Sequence, residues 1–167
     1  MKKFCLFFLV FFISLLIFPR ITLAEKQVDY DLPYPGLLPD SPFYFLKTSR
    51  DNFLDFFIND PIRKAEFNIL RADKSLKAVL ILYEKGENEK ELAENVISKS
   101  EAFYKEALKK LEEANKQNLE IGAVVNKLKM SLLKQEEILK SLTKESDEDL
   151  KITQDLIKKV DRIFPQS

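Results

Sequence analysis

Any catalysis by this chain would fall to carboxylates, because the side chains that most often act as bases, nucleophiles and metal ligands are scarce. The 167 residues contain no histidine and no tryptophan, and Cys5 is the only cysteine. The commonest general base and metal ligand is therefore absent, and a thiolate nucleophile or sulfur-ligated metal has no residue to use once the N-terminal segment is removed. Paired acids do run glycoside hydrolysis, and the candidates are Glu112-Glu113, Glu136-Glu137 and Asp147 to Asp149. These acids fall beside lysines on polar helix faces or at a helix start, where negative charge suits the helix dipole. No G-x-S-x-G, phosphate loop or calcium loop of the D-x-[DN]-x-[DN]-G type occurs, and a di-iron bundle site needs Glu-x-x-His pairs. The expectation is a non-enzymatic chain with no catalytic residue, no metal and no cofactor.

The other residues that could act are aromatic. Pro33 to Lys47 reads PYPGLLPDSPFYFLK, with four prolines, one glycine and four aromatics in fifteen positions. Such a stretch cannot be helical throughout and is too apolar for a solvated linker, so an ordered strap leading into a helix is expected. The helix that follows is crowded with Phe43, Phe45, Phe53, Phe56 and Phe57, more than one face can hide. Either it is buried around most of its circumference, or Phe45 or Phe56 joins Tyr34 and Tyr44 in an exposed patch for a partner or a membrane surface. The candidate docking surface is Tyr34, Pro35, Leu38, Phe43, Tyr44 and Phe56.

Three segments position these groups: a leader over residues 1–24, a strap over 25–41 and a helical domain over 42–167. Lys2 and Lys3 precede an apolar run from Phe4 to Phe18 that only Ser14 interrupts, and Thr22-Leu23-Ala24 supplies small residues at a signal-peptidase site. The run has 15 residues. At ~1.5 Å each it spans roughly 22 Å, short of a ~30 Å hydrocarbon core. A signal peptide cleaved near Ala24 is expected, placing the protein outside the cytoplasm, secreted or at the cell envelope. The alternative is an uncleaved segment that keeps the chain in contact with the membrane. Cleavage removes Lys2, Lys3 and Arg20 and no acid, leaving 24 basic and 27 acidic side chains. That balance provides no long-range field for nucleic acid and no strong attraction to anionic lipid.

The fold class expected is all-α, an antiparallel bundle of four to five helices. Asp40 or Ser41 with Pro42 signals a first helix over about Pro42 to Ile58, with Phe43, Leu46, Phe53, Leu54 and Phe57 at helical spacing. Asp60-Pro61 starts a second helix that Gly86 ends. In it Ile62, Ala65, Ile69, Ala72, Leu76, Val79 and Tyr83 alternate steps of three and four, a coiled-coil-like seam. The small Ala65 and Ala72 invite a bulky neighbour, which the first helix's phenylalanines could supply. The seam could instead serve a second copy in a homo-oligomer. A third helix over Glu91 to Lys116 carries Glu101/Lys105, Glu106/Lys110 and Glu112/Lys116 as solvent-facing pairs. A fourth is expected over Leu119 to Leu142 with Gln135 in its apolar stripe, and a fifth over Asp147 to Phe164 with a capping signal at Ser146. Glu25 to Asp31 reads as loose.

Pro35-Gly36, Pro39 to Lys47 and Asp60-Pro61-Ile62-Arg63-Lys64-Ala65-Glu66 together resemble an uncharacterised bacterial family, a domain of unknown function. Its pattern is Pro-Gly-x-x-Pro-x-Ser-Pro-aromatic-aromatic-x-x-Lys, then a helix, then Asp-Pro-x-x-Lys-Ala-Glu opening a long helix. The resemblance covers roughly Pro33 to Gly86. It implies an extracytoplasmic helical domain and no catalytic residues. Some relatives lie beside anti-sigma-factor regions, which implies envelope sensing. The function expected is a protein-interaction or structural module at the cell envelope, with a protein partner. The alternative is a ligand-binding or sensory ectodomain linked to envelope stress signalling.

Overall fold

The computed structural model describes residues 27–142 and 147–165. Five α-helices follow an extended strap: α1 (Tyr44–Phe57), α2 (Pro61–Lys85), α3 (Lys90–Lys116), α4 (Gly122–Leu142) and α5 (Asp147–Ile163), with a 3₁₀ turn at Glu87–Glu89 before α3. The leader, Glu25, Lys26 and the expected Ser146 cap lie outside the described residues.

The core is built by α2 to α5. The longest contact runs between α2 and α3. Ala65, Ile69, Ala72 and Leu76 of α2 meet Tyr104, Ala107, Leu108, Leu111 and Ala114 of α3, all at most 2 % exposed. The alanines do admit a bulky neighbour, but it is α3 and not the first helix. Val125, Leu128 and Leu132 of α4 and Leu156, Val160 and Phe164 at the end of the chain close the same cluster. A second cluster joins Val79 and Leu82 to Ala93, Val96, Ile97 and Leu139.

The helix ends follow local chemistry. Asp60 Oδ1 accepts from Arg63 N at 2.7 Å with Pro61 in the first turn, a capped start. Gly86, at φ 115°, turns the chain out of α2 in a conformation side chains resist. Asn118, at φ 56°, closes α3 with Leu119 N bonded to Ala114 O and its own N–H to Asn115 O. That is a Schellman motif with asparagine in the left-handed position.

Three expectations about polar residues are corrected. Glu101 does not face solvent: it is 3 % exposed, and Lys105 reaches it only at 3.7 Å. The buried face of α3 is wide, taking in Ile97, Tyr104 and Leu108 beside Val96, Ala107 and Leu111, and Glu101 falls within it. The pairs expected as Glu106/Lys110 and Glu112/Lys116 form instead as Lys109–Glu106, Lys110–Glu113 and Lys159–Glu112. The start of the strap is not loose. Val28 N donates to Glu137 Oε2 at 2.6 Å, Lys134 donates to Val28 O at 3.3 Å, and Tyr30 donates to Asp73 at 2.6 Å.

Candidate docking surface

The first helix is turned the other way from the rest. α1 begins at Tyr44, without a side-chain cap, rather than at Pro42. Ser41 Oγ accepts from Phe43 N at 3.3 Å, while Asp40 forms an ion pair with Lys85 at the end of α2. From that tether α1 runs back along α2, and the contacts between them are polar. Arg71 donates to Asn52 Oδ1 at 3.0 Å. Lys64 pairs with the Asp55 carboxylate at 3.4 Å and donates to Asp55 O at 3.1 Å. The Arg71 guanidinium also lies 4.1 Å from the Phe103 ring centroid and 5.6 Å from that of Phe67, a stacking arrangement favourable for a half-buried cation. Burial pulls the Arg71 pKa down, against the nearby Asp55 and Asp51. Asp51 is the one buried residue of α1, paired with Arg50 at 2.7 Å.

The inward-facing side of α1 is thus Tyr44, Lys47, Thr48, Asp51 and Asp55. At ~100° per residue, the remaining apolar side chains cover roughly half the circumference. Phe43, Phe45, Leu46, Phe53, Leu54, Phe56 and Phe57 are all exposed, Phe56 to 76 %. Phe57 packs edge-on to Phe56 at 5.3 Å and tilted against Phe53 at 4.7 Å, so the rings cover one another but not the bundle. The stripe of Phe43, Leu46, Phe53, Leu54 and Phe57 is present as read, but it faces out.

The six candidate residues divide. Tyr34 (79 %), Phe43 and Phe56 are exposed. Tyr44 and Leu38 are half-buried, Leu38 packing on the second core cluster. Pro35 is buried and its carbonyl accepts from Lys47 Nζ at 2.8 Å, so it shapes the surface without contributing to it. Phe45, weighed with Phe56 for the exposed patch, is exposed. Periodicity missed Leu46, Phe53, Leu54 and Phe57 as surface residues, because a period states which residues share a face and not where that face points.

Between strap and α1 lies a groove of about 400 Å³ lined by Tyr34, Pro35, Leu37, Leu46, Lys47, Arg50 and Lys74. Its charged residues are three cations and no acid. Lys47 donates to Pro35 O and Leu37 O, and burial lowers its pKa.

A buried polar network on the other side of α2 gave no sequence signal. Asp73, 1 % exposed, accepts from Tyr30 OH and from Ser131 Oγ, and Ser131 in turn lies 2.6 Å from Tyr104 OH. Burial raises the pKa of Asp73 and of both tyrosines. The network pins the strap to the bundle. Among the described residues, no group of three or more histidines, cysteines, aspartates or glutamates is placed to hold a metal ion. None of their helices is long and apolar enough to cross a membrane. No protein-family model, curated protein or solved structure matches the chain.

Proposed function

We propose that this chain is an exported, non-enzymatic helical bundle that acts as an interaction or structural module at the cell envelope, with strap and α1 as its docking face. One observation carries the reading. Of the eleven exposed large apolar side chains among the described residues, nine fall between Tyr34 and Phe57. The five phenylalanines alone leave roughly 600 Å² of ring surface in water, taking ~150–250 Å² per aromatic side chain. That equals or exceeds the largest patch of a typical monomer, ~300–600 Å². A face of this kind is maintained against its own solvation cost only where something covers it. Membership of the uncharacterised extracytoplasmic family is part of the same proposal, resting on the strap and on Asp60 to Glu66.

A photocrosslinking phenylalanine analogue placed at Phe56 in intact cells tests this. Crosslinks at position 56 and none at exposed Lys158 of α5 are the expected result. Replacing Phe53, Phe56 and Phe57 with serine should abolish the association and leave the melting temperature within a few degrees. An unfolded triple variant would make the face core, and equal crosslinking at both positions would remove its specificity. A second reading, a ligand-binding or sensory ectodomain, is favoured by the groove of about 400 Å³. It predicts a melting temperature that rises with a small envelope metabolite in the Lys47, Arg50 and Lys74 groove.

A further inference from the structure

We infer that the occupant of the α1 face is a lipid bilayer surface, into whose interface α1 lies with its phenylalanines down and the bundle above. This rests on the docking reading and names its partner. Three features select lipid over a folded partner.

The first is shape and chemistry. The exposed arc of α1 is convex, covers roughly half the helix and is almost wholly hydrocarbon, with only Ser49 and Arg50 inside it. An interfacial helix needs such an arc, and normally solvates its other face in water. Here the other face is held against the bundle by Arg71 on Asn52 and Lys64 on Asp55, so it is not the face that water must solvate.

The second is charge. The groove at the edge of the arc holds Lys47, Arg50 and Lys74 with no acid among its lining, beside Tyr34, Leu37 and Leu46. Asp51 offsets Arg50, Asp55 pairs with Lys64 and Asp40 with Lys85, which leaves Lys47 and Lys74 as the groove's net positive charge. Cations at the rim of an apolar surface sit at the depth of lipid phosphates, with Lys and Arg stems alongside the acyl boundary.

The third is continuity along the chain. The apolar run from Phe4 to Phe18 precedes the strap in sequence, and the strap leads straight into α1. Whether that run spans, anchors or is removed, the part of the bundle that follows it first is the part with the phenylalanine face.

The chain has no tryptophan, so a single introduced one reports its own site. Full-length protein carrying Phe56→Trp, or Lys158→Trp as the control, is mixed with phosphatidylcholine/phosphatidylglycerol vesicles, with and without brominated acyl chains. The control separates insertion of α1 from simple tethering by the N-terminal run. The expected result is a blue shift and at least about two-fold quenching at position 56, with neither at 158. Adding Lys74→Glu should raise the half-saturating lipid concentration about five-fold or more, as ~1 kcal/mol per surface cation implies. Tryptophan at 56 that stays water-exposed while the protein is vesicle-bound overturns the inference. So does equal quenching at both positions, or a half-saturating concentration that Lys74→Glu leaves unchanged. A blue shift without lipid, growing with protein concentration alongside a dimer mass, also overturns it: the occupant is then a second copy, and the docking reading survives. If crosslinking at Phe56 in cells also fails, both readings fall.

Discussion

Tyr30 in the strap donates its phenolic hydrogen to Asp73 of α2 at 2.6 Å, across 43 residues of sequence. Asp73 is a core carboxylate served by hydroxyl groups, from Tyr30, Ser131 and more distantly Tyr104. The bond therefore secures the strap and satisfies a buried acceptor at once. Tyr30→Phe keeps the ring and leaves Asp73 Oδ2 short of a donor, a loss of about 1–3 kcal/mol. Urea unfolding should show that loss, and limited proteolysis should cut faster between Gln27 and Asp40. Wild-type resistance in the variant would mean the strap is held by its other anchors, Val28 on Glu137 and Lys134, Leu32 and Leu38 on the core, and Asp40 on Lys85.

Glu101 makes stability depend on pH. Burial, with Asp149 and Glu148 adding to it and Lys105 opposing, raises its pKa from the usual 4.5 to about 7. The folded state then holds this proton more tightly than the unfolded chain does. The stabilising contribution is complete below about pH 4.5, is lost as pH rises to about 7, and is flat above. At 1.36 kcal/mol per unit the loss is about 3 kcal/mol. Asp73, also raised by burial, adds to the same slope. Denaturation midpoints measured from pH 4.5 to 8 should fall, and Glu101→Gln should flatten much of that fall and stabilise the protein at pH 8. An equal slope in the variant would assign the effect elsewhere.

Arg71 holds α1 to the bundle through Asn52, Phe103 and Phe67. Since α1 shares little apolar contact with α2 to α5, removing this cation should free the helix without melting the core. Arg71→Ala is expected to speed amide exchange across Tyr44–Phe57 at least about ten-fold. The global unfolding free energy should change by only about 1 kcal/mol, as local and global opening differ in cost. Loss of protection throughout α2 and α3 would instead make α1 part of the cooperative core.

The bundle was legible because its punctuation is local. Asp60-Pro61 and Gly86 define α2 by capping and backbone freedom alone, and the alternation from Ala65 to Val79 names its buried face. Helix α1 carries an equally clear stripe, yet it points outward. Ala65 and Ala72 had already found their neighbours in Tyr104, Ala107 and Leu111, leaving no core for Phe53 or Phe57 to enter. Direction depends on what the other helices still need, and no window of α1 contains that. Asp73, Glu101 and Ser131 were illegible for a related reason: each lies beside a seam position, and a small rotation of the helix buries it.

Gln135, the one polar residue read into an apolar stripe, is fully buried and joins three helices. It donates to Thr153 Oγ1 of α5 at 2.9 Å and accepts from Ser100 Oγ of α3 at 3.2 Å. Ser100 also has a local acceptor in Ile97 O at 2.7 Å, and a helical threonine hydroxyl can turn to a carbonyl of its own preceding turn. Its partners therefore survive the loss of Gln135 better than Gln135 survives theirs. Gln135→Leu, which keeps the volume, should cost no more than about 1 kcal/mol. Thr153→Val strands the Gln135 amide in the core and should cost about 1–3 kcal/mol. In the double variant both polar groups are gone, so its cost should fall below the sum of the two, with a coupling of about 1–2 kcal/mol in urea unfolding. Strict additivity would show that the pair carries no energy and that packing alone places α5 against α4.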